Sequence, residues 1–539
     1  MADPRAAAAV TPRVLGAAPV ARGDLRWSAV GERGACVLLA LSAAVAIAAY
    51  GWVALHRLGY PYELQWMEGG SVELVGRVLA GHTLYSSPSL AFAPWPYPPL
   101  FFWASAGLAK VVGLGFLPLR LVSLVSSVGA LALLGAVVMY ETGDRLAALA
   151  TAGLYVATFR RTGAWFDIGR VDSMFMALTL ATLLVGRRAH ATRGGLVVGV
   201  LAFASFATKQ TALVALAPLL LVLLATRPRV GLPATAVLVT LLGASTLAGN
   251  ALTHGWYGFF VFSELAHQPV VRGQWTGFWT HDVLGAMPLA LVAIVGGATF
   301  LARHARERGR GPVKKTVLFY VAAAGGLLAA GWSSRLHSGG FDNVLMPAYA
   351  ALALLAGLSL ALVRGAGAGV RGAGAGMRGA GAGVRPGGVM ATLLAVALVA
   401  QIALLRYPLG AQLPTAADAR AGDQLIAELR SLPGRVLVPD HPYYATLAGK
   451  GTSAQQAGLG DLLRSGGGRG QRALRASLPG SLRAMGIDAV VLDNRLDEGP
   501  LADELRRDFV LTPRRLISGQ ALLPVTDLRQ RPERLFLRR

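Results

Sequence analysis

The sequence predicts a polytopic α-helical membrane protein of about 11 transmembrane helices, carrying a small C-terminal extracytoplasmic α/β domain. Three observations predict it. Of the 539 residues, 54% are hydrophobic and only 15% charged, whereas soluble domains carry roughly 25% charged residues. Apolar runs recur over most of the chain, many of them near the ~20 residues that a spanning helix needs. The basic residues cluster between those runs, so the net charge of +23 reads as membrane orientation and not as a nucleic-acid surface.

The apolar runs lie at about 35–55, 118–139, 144–159, 173–186, 193–208, 211–226, 232–251, 283–302, 316–332, 343–363 and 389–405. Residues 1–34 form a basic tail, with Arg5, Arg13, Arg22, Arg26 and Arg33 and no small-residue cleavage site after the first run. The run at 35–55 is therefore expected to be a retained helix. Asp144 and Arg145, then Arg187, Arg188 and Arg193, then Arg227 and Arg229, then the stretch from Arg303 to Lys315 lie between later runs. With an odd number of spans these clusters share one side with the N-terminal tail, and the excess of Arg makes that side cytoplasmic. Residues 98–114 are apolar as well, but counting them as a span would put every later Arg cluster outside. They are expected to lie along the interface, started by Pro98-Pro99, with aromatics at headgroup depth and Lys110 reaching water. The heptad repeat Arg-Gly-Ala-Gly-Ala-Gly-Val/Met holds Arg364, Arg371 and Arg378. It is too Gly-rich for a coiled coil, and 364–388 is expected to be a flexible cytoplasmic linker. The lone Cys36 excludes an internal disulfide and a Cys-based metal site.

After the transmembrane domain (35–405) the pattern changes. Residues 421–432 read as an amphipathic helix, 434–439 and 487–493 as short buried strands, with helical stretches between and after. Residues 406–539 are thus expected to form an α/β tail domain, outside the membrane beside the first extracytoplasmic loop (56–117).

Candidate chemistry lies in the loops opposite the Arg clusters. The first holds Glu63, Glu68 and Tyr97, with Glu68 in the first turn of an amphipathic helix, where the helix dipole favours a carboxylate. The second holds Asp167, Arg170 and Asp172 at the mouth of a span, where charges are costly and are functional or mutually paired. Lys209 and Gln210 interrupt an apolar run, and a Lys there can meet a phosphate as a point charge. The loop at 332–343 adds Arg335, His337 and Asn343 beside glycine pairs able to hold an anion. One face carrying carboxylates, cations and aromatics suits transfer of a group from a phosphate-bearing lipid.

Several of these stretches resemble a known family. Glu68-Gly69, a helix ending Arg77-Val-Leu-Ala-Gly81, then Leu84-Tyr85 and Tyr97-Pro-Pro-Leu-Phe-Phe-Trp103 are similar in order to the first loop of GT-C membrane glycosyltransferases. The branch is that of protein O-mannosyltransferases and lipid A aminoarabinose transferases. Arg170-Val-Asp172-Ser173 resembles the second-loop acid of that superfamily, and the stretch from Asn343 to Leu352 the helix start where basic residues meet the lipid phosphate. The resemblance covers about 35–405. It implies transfer of a sugar, with inversion, from a polyprenyl-phosphate donor to a glycan, lipid or protein acceptor on the outer side of a bacterial-type inner membrane. It further implies Glu68 as general base, with Glu63 second, and Asp172 positioning the base. A divalent metal, Mg or Mn, is used by some members, with Glu68 and Asp172 the candidates to hold one; Lys209, Arg335 and His337 would grip the donor phosphate. Met67 stands where the family often has an Asp. A transporter or flippase of lipid-linked or small polar substrates is the rival reading, weakened by the absence of an internal repeat between the two halves.

Overall fold

The computed structural model describes residues 22–308, 311–372, 386–493, 501–517 and 519–539. The N-terminal tail through residue 21 and linker residues 373–385 lie outside the described residues.

Helices occupy each of the expected apolar runs. They begin with α1 (Arg22–Leu58), α4 (Phe116–Thr142), α5 (Arg145–Ala157), α6 (Asp172–Arg188), α7 (Thr192–Thr208), α8 (Ala212–Thr226) and α9 (Pro228–Thr253), with α2 (Glu68–Leu79) and α3 (Leu100–Val112) in the first loop. Further helices run over Pro288–Arg308, Gly311–Arg335, Met346–Gly372 and Pro386–Leu404. Among the described residues, five are long and apolar enough to cross a membrane: Gly31–Leu58, Phe116–Thr142, Pro228–Thr253, Lys314–Arg335 and Asp342–Gly365. A sixth candidate is bent by 84° between Gln274–Gly285 and Pro288–Arg303. Leu100–Val112, Thr192–Thr208, Ala212–Thr226 and Gly388–Leu404 are apolar but shorter.

Two boundaries differ from the sequence reading. The first helix starts at Arg22 within the basic tail, and Met346–Gly372 runs into the repeat, because Ala and Arg favour helix strongly enough to offset some Gly. At 13 residues, α3 extends ~20 Å at 1.5 Å per residue, as does α5, short of the ~30 Å hydrocarbon core. It ends at Gly113, whose φ of 89° suits a residue without Cβ, and the chain then turns directly into α4.

The core lies along the segment after Asp342. In Asp342–Gly365, 83% of the apolar window is buried, against 22% to 44% in the other four spanning-length helices. It packs on α4, α5, Pro288–Arg308 and Gly311–Arg335. The charges assigned to one side meet at one end of the bundle. Arg364 bonds Asp144 at 2.7 Å and Cys36 Sγ at 2.7 Å, Arg187 pairs with Glu141, and Arg227 donates to the carbonyls of Gly186, Arg187 and Ala189.

At the opposite end the tail forms a four-stranded sheet of order β1-β2-β4-β3, with β1 Arg435–Leu437, β2 Ile487–Asp493, β3 Phe509–Arg515 and β4 Pro532–Arg538. β1 and β2 are parallel, and the other pairs antiparallel. β3 and β4 stand where the sequence suggested helix. β3 buries little beyond Phe509, so its alternation is weak. A helix over Ala416–Ser431, opened by a Thr415–Asp418 capping box, covers the sheet through Leu425 and Leu429. Tyr62 of the first loop enters this same core and donates to Asp423 at 2.6 Å. The tail and the first loop therefore share a hydrophobic core at one end of the molecule.

Candidate functional site

Loop and tail close on each other because the loop offers glycines. A Cβ on Gly70 would sit 2.5 Å from Trp95 and 2.8 Å from Gln455 of the tail, so only hydrogen there allows α2 and the tail to meet. Two residues earlier, Glu68 opens α2 with no exposed surface. Its carboxylate accepts four hydrogen bonds: Arg120 Nε at 3.0 Å and Gly169 N at 2.7 Å on Oε1, Arg120 Nη2 at 2.7 Å and Leu64 N at 2.8 Å on Oε2. Burial alone would raise its pKa, but the Arg120 guanidinium and the two amides outweigh it and hold the group below the usual carboxylate range. A carboxylate has about four lone-pair sites, so Glu68 is saturated. Arg120 also donates to the carbonyls of Tyr60 and Tyr62 and thus ties α4 to the first loop.

The second loop is ordered in the same way. Asp167 faces Arg57 at 3.3 Å. Arg170 does not pair with Asp172. Its guanidinium lies over Trp95 (4.4 Å), Trp165 (5.1 Å) and Tyr97 (5.7 Å), and its Nη1 is buried without a hydrogen-bond partner among the described residues. Asp172 instead accepts from Lys209 Nζ at 2.7 Å and Asn343 Nδ2 at 3.0 Å.

The tail supplies groups that the sequence reading missed. His441 is buried between Glu63, bonded through Nδ1, and Asp493, 3.1 Å from Nε2. Burial opposes its charge, but the two carboxylates override burial and push its pKa well above the ordinary value. Asp461, on the helix Gln456–Arg464, pairs with Arg464 at 2.5 Å and leaves 24% of its side chain open.

These residues surround two cavities. The smaller, of about 300 Å³, lies beside α8, and its wall includes Lys209, Gln210, His337 and the apolar Val214 and Val344. The larger, of about 800 Å³, lies under the tail and is walled by Arg170, Trp66, Trp165, Asp440, Asp493 and Gln530 among others. Met67, Tyr97, Gly339, Asn343 and Asp461 line both. Several buried polar atoms on these walls lack a hydrogen-bond partner among the described residues: Gln210 Oε1, His337 Nδ1, Arg170 Nη1 and Asp493 Oδ1. Such groups are costly unless a ligand or water satisfies them.

The structure thus brings Tyr97, Arg170, Lys209, Gln210, His337 and Asn343 to the cavities, with Asp172 behind Lys209 and Asn343. Glu63, Glu68, Asp167 and Arg335 stand outside both linings. Arg335 pairs with Asp282 and Asp342 and donates to the Gly340 carbonyl. Among the described residues no group of three or more His, Cys, Asp or Glu is placed to hold a metal ion, and Glu68 and Asp172 each face a cation instead. Arg120, a lone charge heading an apolar run, was a readable signal. Asp461 and His441 carried none, because both owe their position to packing between tail and loop.

Residues 96–249 match the family model described as Dolichyl-phosphate-mannose-protein mannosyltransferase. The match takes in the second loop and Lys209 and begins after Glu68. The crystal structure of ArnT from Cupriavidus metallidurans bound to undecaprenyl phosphate superposes with a TM-score of 0.52 at 14% identity, covering 92% of this chain and 97% of that one. Its apo form gives 0.53 at 16% identity over the same shares. The chain has the GT-C fold. The archaeal oligosaccharyltransferase AglB from Archaeoglobus fulgidus, in complex with an inhibitory peptide and a dolichol-phosphate, is similar at a TM-score of 0.53 and 12% identity, covering 88% of this chain and 70% of that one. No curated protein matches the sequence. At such identities the likeness to this GT-C fold concerns architecture, and the site must be argued from its own residues.

Proposed function

We propose that the chain is an integral membrane glycosyltransferase that moves a sugar, with inversion, from a polyprenyl-phosphate donor to an acceptor on the outer side of a bacterial-type inner membrane. The observation that carries the reading is the pair of cavities meeting at Met67, Tyr97, Gly339, Asn343 and Asp461. The smaller combines an apolar wall, suited to a lipid chain, with Lys209, suited to a phosphate. Asp172, itself held by Asn343, fixes the direction of that Lys, and Gln210 Oε1 and His337 Nδ1, unpartnered among the described residues, can meet the sugar. The larger cavity is polar and aromatic, as an acceptor with hydroxyl groups requires. The lipids bound to the structural neighbours, undecaprenyl phosphate in ArnT and dolichol-phosphate in AglB, support a lipid-phosphate donor.

In this reading the acceptor oxygen attacks the anomeric carbon from the side opposite the phosphate, and Lys209 stabilises the charge that develops on the leaving oxygen. Glu68 organises the loop and takes no proton, since its lone pairs are engaged and it faces neither cavity. The test is incubation of the purified protein with labelled polyprenyl-phosphate sugars. Transfer with release of polyprenyl phosphate and an inverted anomeric centre is expected; neither binding nor turnover of any such donor refutes the reading. A cytoplasm-only reporter fused after Arg539 that becomes active would refute the orientation.

A further inference from the structure

We propose that Asp461, on the tail domain, is the carboxylate that takes the proton from the acceptor hydroxyl. This rests on the reading above and names a residue for it. The reacting carbon must lie where the donor and acceptor cavities meet. Among the described residues five line both, and Asp461 is the one carboxylate of the five. Asp440 and Asp493 wall the acceptor side alone. Met67, from the first loop, also faces the junction but has no group that can accept a proton. The loop's own candidate acids line neither cavity: Glu68 is turned to Arg120 and Glu63 to His441.

The fold explains why a tail residue reaches this point. The helix Gln456–Arg464 docks on the first loop by its start: Gln455 lies under Gly70, and a Cβ on Gly458 would stand 3.2 Å from Trp95. Asp461 is three residues beyond Gly458 and so shares its face of the helix. From the other side Gln268 donates to the Asp461 carbonyl at 3.0 Å, which fixes the helix against the membrane domain.

The step balances without a co-reactant. The acceptor O–H gives its proton to the Asp461 carboxylate, and the oxygen forms the new bond to the anomeric carbon. The bond from that carbon to the phosphate oxygen breaks, and its electron pair leaves with the polyprenyl phosphate. Burial pushes the Asp461 carboxyl above the usual range, against the pull of Arg464 and Arg170. The buried Glu264 feels the Asp461 charge from the far side. A carboxylate raised toward neutral pH is the better proton acceptor.

The experiment compares wild type, Asp461→Asn and Asp461→Glu for turnover of a lipid-linked sugar, for binding of undecaprenyl phosphate and for thermal unfolding. Expected for Asp461→Asn is a fall in kcat of about 100-fold or more with lipid binding and unfolding temperature unchanged, with partial return of rate in Asp461→Glu. The acid limb of kcat/KM in wild type lies above the ordinary carboxylate range, and in Asp461→Asn the residual rate loses that limb. Wild-type rates in Asp461→Asn overturn Asp461 alone and leave the transferase reading standing. An Asp461→Asn protein that has lost binding and rate together, with Asp461→Glu equally inactive, also overturns the proposal, in favour of a structural role. A wild type inactive on every lipid-linked sugar overturns the transferase reading and this inference with it.

Discussion

Replacing Glu68 by Gln separates an organising role from a chemical one. Both side chains of the Glu68–Arg120 pair have no exposed surface, and four donors converge on the carboxylate. Gln keeps the shape but turns an –NH2 toward a guanidinium or a backbone amide, so donor faces donor. It also leaves Arg120 charged and buried, with the carbonyls of Arg57, Tyr60 and Tyr62 as remaining acceptors. Removing one partner of a buried ion pair costs about 3–5 kcal/mol, and the three carbonyls argue for the lower end. Against a total stability of roughly 5–15 kcal/mol this is a large loss. Glu68→Gln is expected to unfold well below wild type when monitored by tryptophan fluorescence in detergent, and Arg120→Met added to it is expected to restore part of the deficit. The same interaction depends on pH. The folded pKa of Glu68 lies below the unfolded value of about 4.3, so the stabilisation is present above that value and is lost as pH falls through the folded pKa. Wild-type unfolding in a Glu68→Gln protein that transfers no sugar would refute the argument and return Glu68 to the role of base.

The same geometry carries four other expected outcomes. His441→Leu leaves Glu63 and Asp493 buried without their cation, a loss of about 3 kcal/mol or more, read as faster proteolysis of the tail; a tail as resistant as wild type would count against the clamp. In wild type the raised pKa of His441 gives a stabilisation complete below the unfolded value of about 6.5 and lost as pH rises through the folded one, so hydrogen exchange around residues 435–445 should quicken at alkaline pH and not at acid pH. Gly70→Ala drives a methyl into Trp95 and Gln455 at a cost of about 1–3 kcal/mol, and should lower turnover without abolishing it; an unchanged rate would show that the loop–tail contact is slack. Lys209→Met should weaken binding of undecaprenyl phosphate about 10- to 100-fold, the equivalent of one charge-assisted hydrogen bond. Lys209→Met with Asp172→Asn controls for the carboxylate left unpaired, and undiminished binding in both would exclude Lys209 as the phosphate contact.

Legibility in the sequence was local. Apolar runs and Arg clusters are properties of short segments, and helices appear at each run. The second-loop charges could be recognised as costly, yet their partners could not. Asp172 meets Lys209, 37 residues away, and Asn343, 171 away, while Asp167 meets Arg57 across the first loop. No spacing rule reaches that far. β3 escaped for a related reason: it is an edge strand with most residues exposed, so its alternation was not written into the sequence.

Met67 marks the point at which local reasoning about the site stops. The resemblance located an acid at that position, and its absence pointed to the neighbouring Glu68. Packing supplies the missing term. Glu68 is drawn into the scaffold by Arg120 of α4, and Met67 is left facing the junction of the cavities. The tail then delivers a carboxylate to that junction through contacts that exist only when Gly70, Trp95, Gln455 and Gly458 are brought together. A tail that contributes to chemistry cannot be a detachable accessory. That fits Tyr62 of the loop sharing its core, and it explains why a sequence reading that divided the chain near residue 405 assigned the whole site to one side of the division.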